Sequence, residues 1–156
     1  MEFEQAKKIL GALEAQGVEY VLVGSMAMAT WGVIRATQDM DIFVLPEPEN
    51  VERLKAALRS VFGDPAIDEI SAVDLAGEYP AIKYVPPSGD FSIDILSRLG
   101  EAFSYGDLEW DELDVEGVAI RAATPSMLYR MKRGTMRPQD RLDAVELKRR
   151  YHLEDD

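Results

Sequence analysis

Asp39 and Asp41 stand one residue apart at the head of an apolar run, Met40 to Leu45, and follow an earlier apolar run, Val21-Leu22-Val23, that ends in Gly24-Ser25. In an extended strand, residues i and i+2 project from the same face, so the two carboxylates lie side by side with about 7 Å between their Cα atoms. Such a pair can share a hard divalent cation, Mg²⁺ or Mn²⁺. A glycine turn at the start of a helix can receive phosphate on its backbone N–H groups, with the Ser25 hydroxyl as a further donor. A cation site and a phosphate site one helix apart point to chemistry on a nucleoside triphosphate. Asp94, in Phe91-Ser92-Ile93-Asp94-Ile95-Leu96, adds a third acid, set apart from its apolar neighbours on the opposite face of a later strand. Each feature has a plainer alternative: a strand-start aspartate ending a sheet in solvent, or an ordinary strand–turn–helix joint with a serine cap. Their co-occurrence favours the chemical reading.

The elements that must position these groups are legible in outline. Phe3, Ala6, Ile9, Leu10 and Leu13 recur at helical spacing, which predicts a helix over Glu2–Gln16 with Gly17 just past its end. Glu19–Val23 reads as a buried strand, Ser25–Trp31 as a short helix ended by Gly32, and Asp39–Leu45 as a second strand stopped by Pro46-Glu47-Pro48. Asn50 is expected to cap a helix whose Val51, Leu54, Leu58 and Val61 face inward. Gly63–Gly77 carries little signal beyond one helical turn near Ser71–Leu75. Ala81–Val85 and Phe91–Leu96 predict strands joined by Pro86-Pro87-Ser88-Gly89-Asp90, and a further pair, Leu113–Val115 and Val118–Arg121, is joined by Glu116-Gly117. Thr124-Pro125 supplies a cap and a first helical residue for a helix to about Arg133, and Pro138–Tyr151 predicts the last helix. The order implies an α+β (α/β-like) domain: a mixed sheet with helices packed against it.

At 156 residues the chain reads as a single domain, 1–156, large enough to bury a core. It has no cysteine, which excludes disulfides and thiolate metal sites. No apolar run approaches the roughly 20 residues needed to span a bilayer, and the N-terminus lacks signal-peptide character. A cytoplasmic protein without a membrane partner is therefore expected. The formal charge of −12 argues against binding a long nucleic-acid duplex. Yet Arg130, Lys132, Arg133, Arg137, Arg141, Lys148, Arg149 and Arg150 fall close together, opposed only by Asp140, Asp143 and Glu146. That local cationic patch suits a triphosphate or one end of an RNA, or is simply a solvated helix face. His152, the only histidine, sits by the tail, so histidine acid/base chemistry is not expected. Trp31, Trp110 and the methionines read as packing residues.

Gly24-Ser25 after a strand, a helix, and then Arg35-Ala36-Thr37-Gln38-Asp39-Met40-Asp41 resembles the minimal nucleotidyltransferases of the polymerase-β superfamily. The pattern is most similar to the branch with AbiEii-like proteins of type IV toxin–antitoxin systems. The resemblance spans roughly Tyr20–Leu147. It implies the nucleotidyltransferase fold, with C-terminal helices near the active-site cleft, and a metal-dependent transfer of NMP from an NTP to a hydroxyl with release of pyrophosphate. Asp39, Asp41 and Asp94 would be the catalytic metal ligands, holding two Mg²⁺ (or Mn²⁺) ions; Asp94 would bind the catalytic ion and draw the acceptor's proton. Gly24 and Ser25 would bind the β/γ-phosphates. Lys132, Arg137, Asp140 and Asp143 match the family's C-terminal motif, with Lys132 as a phosphate contact; solvent exposure is the alternative for Lys132. Asp140 and Asp143 can instead neutralise Arg137 and Arg141. Arg35 can pair with a phosphate or clamp the acidic strand end from behind, and Thr37 can fix the loop before Asp39.

The acceptor stays open among a protein side chain, a tRNA 3′ end and a small molecule, and a toxin–antitoxin partner protein is implied only by the resemblance. A non-catalytic nucleotide-binding or toxin–antitoxin module of the same fold is the main alternative. A glycosyltransferase using Asp-x-Asp with Mn²⁺ fits less well, because that chemistry calls for a larger domain.

Overall fold

The computed structural model describes residues 2–34 and 39–154. Arg35 and Thr37 lie outside the described residues. The elements run α1 (Phe3–Ala15), β1 (Tyr20–Val23), α2 (Gly24–Thr30), β2 (Asp39–Val44), α3 (Pro48–Phe62), a 3₁₀ turn (Pro65–Glu69) and α4 (Ala72–Ala76). They continue through β3 (Ala81–Tyr84), β4 (Ser92–Leu96), β5 (Arg98–Leu99), β6 (Phe103–Ser104), β7 (Trp110–Val115), β8 (Val118–Ala123), α5 (Pro125–Arg133) and α6 (Pro138–Tyr151). Six strands form one mixed sheet in the order β3-β4-β2-β1-β8-β7, and β5 and β6 form a separate two-stranded ladder. The expected α+β fold with a mixed sheet is therefore present. Among the described residues no helix is long and apolar enough to cross a membrane.

Alternation along the central strands separates two environments. Met40, Ile42, Ile93 and Ile95 point to one face and are fully buried. There they meet the layer of α1 and α3, whose Phe62 ring lies 5.7 Å from that of Tyr84 on the same face. The intervening residues Asp39, Asp41 and Asp94 face the opposite way, towards α2 and α5. At the end of the sheet Glu116 and Gly117 both adopt positive φ, 51° and 86°, the tight hairpin geometry that joins β7 to β8.

β7 is longer than the sequence pattern implies, beginning at Trp110. Asp111, Glu112 and Asp114 are exposed along it, and their charge hid a strand held by pairing with β8. Thr124 caps α5 as expected, accepting a hydrogen bond from Met127 N–H at 3.1 Å. Ser71 caps α4 in the same way, at 3.2 Å from Asp74 N. Trp31 does more than fill space: its Nε1 donates to Ala123 O at 2.8 Å, and its own carbonyl accepts from Arg150 Nε at 3.2 Å and from the Tyr151 hydroxyl. The C-terminal end of α6 is thereby tied to the end of α2.

Asn50 is the clear correction. The helix begins at Pro48, with Glu47 as the flanking residue, so Asn50 is inside α3 rather than its cap. Its side chain is 1% exposed. It accepts from Glu19 N–H at 2.7 Å and donates to Glu19 O at 2.9 Å and Leu45 O at 2.8 Å. A residue type favoured at helix starts because it bonds backbone groups does so here at long range, joining the start of β1 to the end of β2. Asn50→Ala removes the partner of Glu19 N–H and Leu45 O, leaving Glu19 O only the Leu45 N–H at 3.3 Å, and urea denaturation is expected to show a loss of about 2–3 kcal/mol. A loss under about 0.5 kcal/mol would mean water replaces the amide without cost.

Candidate active site

Strand register assembles the site. Val23 on β1 is the partner of Asp41 on β2, Asp41 is the partner of Asp94 on β4, and Asp94 is the partner of Lys83 on β3. Paired positions share a face, so Val23, Asp41, Asp94 and Lys83 form one row across four strands. Asp39 and Ser92 form the next row, joined by a 2.6 Å hydrogen bond from the Ser92 hydroxyl to Asp39 Oδ1. Neighbouring strands run about 4.8 Å apart, which brings Asp41 and Asp94 into side-chain contact. Asp94 is close enough to act on the ionisation of Asp41, raising its carboxyl.

Gly24 is the first residue of α2, directly after the strand end, with φ of +70°. A Cβ at this position would stand 2.2 Å from Asp41 Oδ2, so only glycine lets the turn close over that carboxylate. The Gly-Ser turn and the Asp-x-Asp strand thus meet physically, as their proximity in sequence predicted. Ser25 follows on the first turn of α2 and is partly exposed.

Burial, then the hydrogen bond and charge of Asp94, then the charge of Asp39, push the Asp41 carboxyl up to about 7, while Lys132 opposes the shift. Two acids this close in a partly buried place cannot both ionise cheaply, so Asp41 binds its proton more tightly than an ordinary carboxyl does. The same donor set fits a hard divalent cation, which would replace that proton. Asp39 shares the face but is directed to Ser92, and among the described residues no three acidic, imidazole or thiol groups converge as a ready-made cluster.

The row opens into a cleft of about 480 Å³ between the sheet and α5–α6. Leu96, Leu99, Leu128 and Met131 give it apolar lining, and Lys83, Lys132 and Arg137 supply cations to it. Lys132 is 8% exposed, which removes the solvent-facing alternative. Its Nζ lies 2.8 Å from Asp143 Oδ2 and 3.4 Å from Asp140 Oδ1. Thr135 donates to Asp140 at 2.8 Å and Gln139 to Asp143 at 2.9 Å, completing the network. Asp140 and Asp143 therefore neutralise Lys132 in the interior, with Arg137 at the margin, 3.9 Å from Asp140. The i, i+3 spacing of the two aspartates places them on one helix face, a signal that was readable; their common partner on another helix was not. Lys83 was missed altogether. It lies 3.7 Å from Asp94 Oδ1, and only the β3–β4 register puts it there. His152 ends α6 at φ 54° and lines no part of the cleft.

No protein-family model matches the sequence, and no curated protein matches it. Solved structures do resemble it. A Thermotoga maritima protein assigned as a nucleotidyltransferase aligns with a TM-score of 0.54 and 17% identity, over 96% of this chain and 91% of the other. ANT(2″)-Ia in complex with adenylyl-2″-tobramycin aligns at 0.55 and 15%, over 96% and 88%. An antigenic nucleotidyltransferase-like protein from Paracoccidioides brasiliensis aligns at 0.56 and 15%, over 94% and 77%. At these identities the likeness is one of fold: the chain has the nucleotidyltransferase fold.

A pH dependence follows from Asp41. Its carboxyl binds a proton more tightly in the folded chain than the ordinary value of 3.8 allows, so its contribution to stability is greatest below that value and is lost as pH rises towards about 7. In chelator-treated protein, Asp41→Asn is expected to be more stable than wild type at pH 8, by roughly 3–4 kcal/mol, to keep part of that advantage at pH 5, and to lose it only as pH falls to about 4. An equal effect at pH 8 and pH 4 in thermal melts would refute the raised Asp41 carboxyl.

Proposed function

We propose that the protein is a metal-dependent nucleotidyltransferase that moves an NMP from an NTP to a hydroxyl acceptor, releasing pyrophosphate. The observation that carries this reading is the contact of Asp41 with Asp94, closed over by Gly24, at the mouth of a cleft in a nucleotidyltransferase fold. The adenylyl product bound by ANT(2″)-Ia supports transfer of a nucleotidyl group by this architecture.

Asp41 and Asp94 would hold a divalent cation, Mg²⁺ or Mn²⁺, with Asp39 contributing from the same face when a second ion binds. The cation, when bound, supplies charge neutralisation for a triphosphate and lowers the pKa of an acceptor hydroxyl. The chain's own groups do the rest. The Gly24 and Ser25 backbone amides and the Ser25 hydroxyl receive the β/γ-phosphates. Arg35 contributes a further cation to the phosphates. Lys132, held by Asp140 and Asp143, keeps α5 and α6 together, and its ammonium favours the ionised form of Asp41. Asp94 accepts the proton that leaves the acceptor hydroxyl as its oxygen attacks the α-phosphorus, and the bond to pyrophosphate breaks in line. The apolar wall of Leu96, Leu99, Leu128 and Met131 keeps competing water from the reacting phosphorus.

The AbiEii-like resemblance extends the proposal to a toxin–antitoxin setting with a partner protein, and to a protein side chain, a tRNA 3′ end or a small molecule as acceptor. A second reading, a nucleotide-binding module without catalysis, has one observation in its favour: one oxygen of Asp39 is already occupied by the Ser92 hydroxyl.

Incubating the protein with each α-³²P-labelled NTP, Mg²⁺ or Mn²⁺, total RNA and lysate separates these readings. Label is expected on RNA, protein or a small molecule with wild type, falling at least about 100-fold in Asp41→Asn and Asp94→Asn. NTP binding without label under any condition would favour the module. Gly24→Ala is expected to lose transfer by about tenfold or more while the chain stays folded, because its methyl displaces the Asp41 carboxylate. Full activity in that variant would remove the turn from the site.

A further inference from the structure

The six-stranded sheet ends in two edges of unlike chemistry. β7 exposes Asp111, Glu112 and Asp114 along its length, and such charges discourage another strand from pairing there. β3, at the opposite end, offers Ala81, Ile82, Lys83 and Tyr84, with a single charge. Its ladder decides which backbone groups face outward. Ser97 N–H donates to Pro80 O at 2.8 Å, and β3 runs antiparallel to β4. Bonded and non-bonded pairs alternate in such a ladder, so positions 80, 82 and 84 bond inward. The N–H and C=O groups of Ala81 and Lys83 therefore point to the open edge.

Beside this edge runs a groove of about 450 Å³, lined by Ile70, Tyr79, Ile82 and Tyr84 together with Glu69 and Asp74. Lys55 and Arg59, the α3 cations that reach this side, are engaged by Asp68: Lys55 Nζ donates to its carbonyl at 3.1 Å and Arg59 Nε to its carboxylate at 3.0 Å. Lys83 is paired with Asp94. Among the described residues no ion pair neutralises Glu69 or Asp74.

We propose that β3 is a docking edge for an extended basic segment of another protein, which adds to the sheet as a further strand. Ala81 and Lys83 supply the ladder donors and acceptors, and Glu69 and Asp74 select cationic side chains on the groove side. A second copy of this chain is the poorer occupant, since a symmetric pairing would set the same acids and the same Lys83 against each other. The chain's charge of −12 also steers basic segments towards it. The docked strand would border the active-site cleft, because Ala81, Ile82 and Lys83 line both spaces. The inference does not rest on the proposed reaction.

The test is fluorescence anisotropy of a labelled hexapeptide, Arg-Val-Arg-Val-Arg-Val, titrated with the full-length protein at about 150 mM salt, where surface charge is screened beyond roughly 8 Å. A fully N-methylated version keeps every charge and loses every backbone donor. Saturable binding is expected for the first peptide, weakened about tenfold or more by N-methylation and by Ala81→Pro, whose lost N–H serves no bond within the sheet. Glu69→Lys with Asp74→Lys is expected to abolish binding, and amide exchange at Ala81 and Lys83 to slow when the peptide is present. Three results would overturn the proposal: no binding, equal binding of the N-methylated peptide, or self-association of the protein that Ala81→Pro abolishes.

Discussion

Asp41 and Asp94 press two like-charged groups together in a place where water screens them poorly, and much of the surrounding structure exists to hold them there. Nothing about the pair is favourable in itself: burial and mutual repulsion both disfavour ionisation, which is why Asp41 keeps a proton up to about 7. What imposes the contact is the register of β2 on β4. That register is strongly enforced because the alternate residues, Met40, Ile42, Ile93 and Ile95, are fully buried on the other face. Sliding either strand by one residue would put its own apolar groups on the polar side and its acidic residues in the core. The core therefore stabilises a local arrangement that electrostatics alone would disperse.

The second enclosure is made by backbone rather than side chains. Gly24 closes the turn from β1 to α2 against Asp41 with no room for a Cβ, and α2 carries the chain to Trp31, whose carbonyl is bound by Arg150 and Tyr151. Trp31 also bonds Ala123 at the end of β8. The segment that leads on to Asp39 thus departs from a point fixed by both the sheet and the C-terminal helix. Asn50 performs the matching task at the opposite end of β1 and β2, satisfying backbone groups of Glu19 and Leu45 where the two strands meet α3.

The wall across the cleft is built on different physics. Lys132 is a buried cation held by two carboxylates, each in turn bound by a neutral donor from Thr135 or Gln139. An ion pair of this kind contributes little net stability compared with apolar packing, but removing one partner is costly, so it specifies how α5 and α6 meet. The Lys132 cation is also the one that opposes the raised Asp41. The electrostatics of the two sides of the cleft are therefore coupled through Lys132.

Local pattern determined what is periodic or sterically unique. The apolar alternation around Asp39, Asp41 and Asp94 implied strands with acids on one face, the helical stripes implied α1 and α3, Thr124-Pro125 implied the start of α5, and Gly24-Ser25 implied a turn before a helix. These follow from side-chain period and backbone conformation, which neighbouring residues decide. Only the tertiary structure decided that Asp41 and Asp94 are register partners, that Lys83 joins their row, that Asp140 and Asp143 converge on Lys132, and that Asn50 bonds Glu19 across 31 positions of chain. Strand order and helix docking set those contacts, and they arise from the summed burial of many residues rather than from any short segment. β7 shows the limit most directly: Asp111 and Glu112 hid its first half, and pairing with β8 extends the expected Leu113–Val115 back to Trp110.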